Sequence, residues 1–226
     1  MSIQRRRTRS PRGSGELLAD EIIDAATDLL LDEKEAAAVS IRAVATRVGV
    51  TPPSIYLHFA DKDALLDAVC ARYFGQLDEQ MARAEAGLDD PLERALSLGM
   101  SYIRFALDTP VLYRQAFARI TADNLSKVDE ILAASAFVHF SRTVGELAEA
   151  GMFPASQVAD IVLEWWSAAH GIASLMISKP SLNWGDDLAR AETMLRSVCL
   201  GRVVMGVAEC REPDALRGFL ARLRAS

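Results

Sequence analysis

Apolar residues recur along this chain at three- and four-residue steps, the spacing that places side chains on one face of an α-helix. Leu18, Ile22, Ala25, Ala26, Leu29 and Leu30 predict a first helix over residues 15–31. Ile41, Val44, Ala45 and Val48 predict a short second one. Ser40 suits its N-cap, because a serine oxygen accepts from the free amides of a first turn. Gly49 suits the left-handed residue that closes it. Thr51 then reads as the cap of a third helix, with Pro52 at the first position, where the missing N–H is not needed. That helix is predicted to reach residue 59, and Asp61 to cap a fourth running through Leu65, Leu66, Val69 and Tyr73.

Further on the pattern coarsens. Helices are predicted over residues 91–107, around Tyr113 and Phe117 after the break at Thr109-Pro110, and over 125–150, closed by Gly151 and Pro154. Ser156 reads as the cap of a helix to 178, Asp186 or Asp187 as the start of another to 207, and an amphipathic piece follows Pro213. No β-alternation, internal repeat or low-complexity tract interrupts this. The predicted fold is all-α: a basic arm (1–14), a three-helix helix-turn-helix domain (15–75), and a C-terminal helical bundle (76–226) that dimerises.

Composition narrows the options. Half of the 226 residues are hydrophobic and a quarter charged, with a net charge of −6, ordinary for a globular protein. That balance hides its layout. Residues 1–75 carry 10 basic and 11 acidic side chains, and the basic ones include Arg5, Arg6, Arg7, Arg9 and Arg12 with no acid among the first 12 residues. Such an arm can track a phosphate backbone or enter a minor groove; solvation as a free tail is the alternative. No apolar run is long enough for a membrane span, and no apolar stretch follows the arginines to make a secretory signal. Cys70, Cys199 and Cys210 are far apart and odd in number, which fits neither a disulfide framework nor a zinc site and favours a reducing, cytoplasmic setting. With no catalytic elbow, metal-binding pair or phosphate-cradling loop, no enzyme, cofactor or metal is expected.

A capped helix, a turn with glycine and a second short helix form a helix-turn-helix layout. Thr51, Pro53, Ser54, Tyr56, Leu57 and His58 remain for its outer face, mostly small or polar enough to approach base edges or phosphates. The stretch from Val39 to Leu66, with Gly49-Val-Thr, Tyr56-x-His-Phe and Asp61-Lys-x-x-Leu-Leu in order, resembles the DNA-binding domain of TetR-type transcriptional regulators, over residues 17–74. The resemblance implies backbone contacts by Ser40 and Arg42, and a recognition helix carrying Thr51, Pro53, Ser54, Tyr56 and His58. It also implies a phosphate contact by Lys62 and a core place for Phe59. Leu57 departs from the larger polar or aromatic residue often found there. Arg5, Arg6 and Arg7 would add the arm's contacts.

In the C-terminal part, Val158, Ile161, Val162, Trp165 and Ala169, and then Leu188, Ala191, Leu195 and Val198, form two stripes. Either they are intrachain core, or they pair with their copies across a two-fold axis as a four-helix bundle, as the resemblance implies. Trp166-Ser-Ala-Ala-His170-Gly171 is similar to a C-terminal subclass of the family marked by tryptophan and His-Gly. Met100, Ile103, Leu107, Tyr113, Phe117, Phe137, Trp166, His170 and Met176 are candidates for lining an effector cavity, with packing as the competing role, above all for His170. The expected protein is a ligand-responsive repressor. It would be a homodimer on double-stranded, pseudo-palindromic operator DNA, released by a small, mainly hydrophobic effector, with no membrane partner. The alternatives are an activator or architectural DNA-binding protein, or a small-molecule binder that no longer reads DNA.

Overall fold

The computed structural model describes residues 14–34, 37, 39–118, 136–207 and 212–225, and shows no strand among them. Helix α1 spans Ser14–Glu33, α2 Ile41–Val48, α3 Pro52–Tyr56 and α4 Lys62–Glu85. Then follow α5 (Pro91–Asp108), α6 (Pro110–Ala118) and α7 (Ala136–Glu149). A 3-10 turn at Ala155–Gln157 leads into α8 (Val158–Ser178), and α9 (Asp187–Val207) and α10 (Pro213–Ala225) complete the set. The all-α fold is as the sequence predicts.

Local chemistry accounts for most of the boundaries. The Ala43 amide donates to Ser40 Oγ at 3.1 Å, and Gly49 closes α2 at φ +78°, where a Cβ would be strained. The Ala64 amide donates to Asp61 Oδ1 at 2.8 Å, and the Ala189 amide to Asp186 Oδ1 at 3.0 Å.

Several boundaries differ from expectation. Thr51 makes no side-chain cap; its hydroxyl lies 3.0 Å from Ser54 Oγ instead. Helix α3 stops at Tyr56, not 59, because the His58 and Phe59 amides both turn back to the Ile55 carbonyl. Ser156 sits inside the 3-10 turn rather than capping α8, and Gln157, which precedes that helix, makes no side-chain cap either. Helix α4 continues to Glu85, beyond the apolar residues that predicted it. Of the helix predicted over 125–150, residues 136–149 are helical and 125–135 lie outside the described residues.

The described residues form two compact units, 14–76 with 109–118, and 77–108 with 136–225. Helix α6, which the sequence division at 75/76 assigns to the C-terminal part, thus belongs with the N-terminal helices and packs on α1. The first unit is built on Ile22, Ala26, Leu30, Val44, Ile55, Leu65 and Phe74, all buried. Two arginines tie its helices together: Arg47 of α2 binds Asp32 of α1 at 2.9 Å, and Arg72 of α4 reaches Asp20 and Asp24 of α1 at 2.5 Å each.

In the second unit α5 is central, packed by α7, α8 and α9. A Cβ on Gly99 of α5 would come within 2.8 Å of Leu195 Cδ1, so α9 seats its leucine directly on the α5 backbone. Arg94 of α5 is ion-paired with Glu146 of α7.

Candidate functional site

Helices α2 and α3 are joined by residues 49–51, whose path is set by the left-handed Gly49 and by the Gly49 and Val50 amides, both donating to the Ala45 carbonyl at 3.0 Å. Val44, Ala45 and Ile55 turn into the core and hold the pair on α1, as their apolar character requires. What this leaves outward is polar. Ser40, Arg42, Thr51, Pro53 and Tyr56 are exposed, and Ser54, His58 and Lys62 half-buried. Phe59 is buried, in keeping with a core role.

The donors on this face are differently prepared. Ser40 Oγ already accepts from its helix, so its proton is left to point outward. Tyr56 is 54 % exposed and presents a phenol to solvent from the last turn of α3. Thr51 and Ser54 form a hydroxyl pair that fixes both rotors at the start of that helix. Leu57, at 84 % exposed, projects an unshielded apolar side chain beside them. Gly15, near the start of α1, lies beside the His58 ring: a Cβ there would be 3.9 Å from His58 Cε1. The residue from which the basic arm departs is thus next to the end of the helix-turn-helix. Arg5, Arg6 and Arg7 themselves lie outside the described residues. Arg47, the other cation of α2, is bound to α1 aspartates.

Residues 22–69 match the model of the bacterial regulatory proteins of the tetR family, and residues 95–198 that of a tetracyclin repressor-like C-terminal domain. The chain belongs to the TetR family. Among curated relatives, the uncharacterized HTH-type transcriptional regulator YobS of Bacillus subtilis is 31% identical over 104 residues, 44% of this chain and 51% of that protein. The chain thus spans about half the length of the curated relatives it matches. Among solved structures, a protein of unknown function from Rhodococcus sp. RHA1 is 25% identical with a TM-score of 0.73, covering 85% of this chain and 98% of that one. MexZ, described as a key repressor responsible for antibiotic resistance in Pseudomonas aeruginosa, shares the fold at 23% identity and a TM-score of 0.62, over 83% of this chain and 95% of that one.

For this TetR-family chain, the candidate effector residues divide. Phe137, Trp166 and His170 lie in a row, with ring centroids 5.2 and 5.1 Å apart, Trp166 stacked on His170 and Phe137 tilted against Trp166, and Tyr102 Oη lies 3.0 Å from His170 Nδ1. Burial lowers the His170 pKa, so its imidazole is neutral at pH 7. The Trp166 indole N–H is buried with no hydrogen-bond partner among the described residues. Met100, Ile103 and Met176 are buried in the same unit and Leu107 half-buried. Tyr113 and Phe117 belong instead to the first unit, where Phe117 stacks edge-on with Phe74 at 5.6 Å. The sequence grouped these nine residues by size and apolarity; the chain returns α6 to the first unit and splits them.

The predicted dimer residues lie mostly inside the single chain. Ile161, Val162, Trp165, Ala169, Ala191 and Leu195 are buried inside the single chain, and Val158 is half-buried. Only Leu188 and Val198 are exposed. The physical reason is that the most regular apolar stripes of α8 and α9 face α5, which needs an apolar cover on more than one side. Other apolar residues of the two helices are exposed: Leu163 and Leu175 on α8, and Met194, Val198, Val204 and Met205 on α9. Gly171 and Gly201 have open space where a Cβ would stand.

Sequence reading missed a polar cluster as well. His139 is buried between two carboxylates, its Nδ1 3.0 Å from Glu85 and its Nε2 3.0 Å from Asp78, and Arg142 pairs with Glu85. Burial opposes ionisation of Glu85, but Arg142 and His139 together outweigh it and hold the carboxyl below its ordinary pKa. The signal available was His139 and Arg142 three apart on one helix, matched by Asp78 and Glu85 seven apart on another.

Proposed function

We propose that this protein is a DNA-binding transcriptional regulator, a cytoplasmic repressor that holds a pseudo-palindromic operator as a homodimer and leaves it when a small, mainly hydrophobic effector binds. The observation that carries the reading is the outer face of α2 and α3: a run of small and hydroxylated side chains beside an exposed tyrosine, held by a buried Ile55. Arg5, Arg6, Arg7, Ser40, Arg42, Tyr56 and Lys62 would meet phosphates, and Thr51, Pro53, Ser54 and His58 the base edges. Support for a dimer is the exposed apolar face of α8 and α9, where Gly171 and Gly201 would let partner helices approach closely. A two-fold dimer would set two recognition helices about 34–36 Å apart on successive major grooves.

Support for the effector is the aromatic row of Phe137, Trp166 and His170, with an indole N–H that lacks a partner among the described residues and a neutral imidazole. Such a wall favours a flat, uncharged ligand bearing an acceptor. Effector and operator would oppose each other through a reciprocal coupling free energy.

Selection of genomic fragments by the purified protein, followed by affinity against salt for the best fragment, tests the core of the reading. Tight binding to a pseudo-palindrome, falling steeply with salt, is expected. Weak binding with no sequence preference would overturn it in favour of a small-molecule binder that no longer reads DNA.

A further inference from the structure

Away from the aromatic stack, the second unit carries a groove of about 290 Å³ between the last turns of α4 and the middle of α5, lined by Gln80, Arg83, Ala84, Ser97, Ser101 and Arg104. Both helices present polar residues to it at helical spacing, three apart for Gln80 and Arg83, and four then three apart for Ser97, Ser101 and Arg104. Ala84 is the sole apolar side chain of the lining. This is a different chemistry from that of a hydrophobic effector cavity.

We infer that this groove is a binding site for a small oxyanion ligand carrying at least two negative charges. Arg104 is exposed and makes no hydrogen bond or ion pair among the described residues. Arg83 has a long contact to Glu79, 3.6 Å between two side chains that are each mostly exposed, which leaves its guanidinium free to swing. Ser97 Oγ donates to the Ala84 carbonyl at 2.7 Å and fixes the two helices against each other at the groove. Ser101 supplies the independent observation. It is only 5 % exposed, it lines the groove, and its Oγ has no hydrogen-bond partner among the described residues. A buried hydroxyl without a partner is uncommon, and here it lines a groove that already holds two guanidiniums and an amide.

Together these groups offer donors and positive charge on a mainly polar surface, the set that matches a phosphate or a polycarboxylate. The space exceeds a bare inorganic anion and fits a small organic one.

Isothermal titration of the full chain with inorganic pyrophosphate and, separately, with citrate, at constant ionic strength set by chloride, tests the site. Saturable binding of one anion per chain is expected for at least one probe. Pyrophosphate alone would identify a phosphate-bearing ligand, citrate alone a polycarboxylate, and both a general oxyanion site. R83Q and R104Q, two exposed substitutions that leave the core intact, are each expected to weaken binding about tenfold. S101A is expected to weaken it less, without abolishing it. Absence of saturable heat with both probes, or unchanged binding by the R83Q/R104Q double variant, would overturn the inference. Neither result bears on operator binding, which is measured with DNA alone.

Discussion

Tyr102 Oη and His170 Nδ1 lie 3.0 Å apart, so a phenol on α5 fixes the ring of a histidine on α8. The imidazole is also stacked on Trp166, with an angle of 28° between the rings, and its Nε2 is 3.5 Å from Ser174 Oγ. Polar contacts thereby help to hold one aromatic wall.

This arrangement makes stability depend on pH. Burial depresses the His170 pKa below the ordinary 6.5. The unfolded chain therefore binds a proton first as pH falls, and stability, fully present above 6.5, is lost as pH drops toward the folded value. Melting curves between pH 7.5 and 5.5 should show this decline, and H170Q should flatten it. An identical decline in H170Q would assign the effect elsewhere.

Removing the phenol alone should be mild. Y102F removes the hydroxyl beside His170 Nδ1, and a loss of about 1 kcal/mol in chemical denaturation is expected. A loss several times larger would mean that the ring packing had also been disturbed.

The His139 cluster predicts a larger effect. H139A would leave Asp78 and Glu85 facing a space in place of the imidazole between them, and about 2–3 kcal/mol of destabilisation is expected. Because the Glu85 pKa is held low, its contribution is present above the ordinary carboxylate pKa and disappears as pH falls through the folded value. E85Q should therefore lose most of its deficit relative to the parent in acid, which denaturation at pH 7 and pH 3.5 would check.

On the DNA face, Y56F should weaken all sequences alike if the phenol meets phosphate, whereas T51A should reorder base preferences. The hydroxyl pair of Thr51 and Ser54 adds a further expectation: T51A and S54A should not be additive. Competition binding against a randomised operator reads both, and a reordered ranking in Y56F would reverse the two roles.

The two faces of α9 can be told apart by mutation. M194K or V204K, on exposed positions, should give a folded monomer by light scattering at unchanged helix content. L195A, one residue from Met194 but buried against α5, should instead cost about 2–5 kcal/mol of folding stability. A stable dimer in the lysine variants would remove this face as the interface.

How far the sequence foretold these features depends on how local their causes are. Ser40 and Gly49 bound α2 through bonds within four residues, and both were legible. Thr51 was not, because its hydroxyl had a choice of partners and took Ser54. The placement of α2 and α3 outer residues followed from which of their neighbours are apolar. Periodicity in α8 and α9 announced apolar faces but could not say against what they pack, since that depends on α5, which ends 50 residues before α8 begins. The return of α6 to the first unit, and the meeting of α4 with α7 at His139, are likewise long-range facts with no local signature.

The stack of Trp166 on His170 also gives the chain an optical signal of its own. An imidazolium ion accepts an electron from an excited indole far more readily than a neutral imidazole does. Emission from Trp166 should therefore dim as His170 gains a proton and change again when a ligand slides between the rings. Trp165, buried one residue earlier on the same helix, and Trp184, whose indole N–H donates to the Lys179 carbonyl at 3.0 Å, would add emission of their own. If an effector binds at this wall, its arrival should be readable in fluorescence without any label having to be attached.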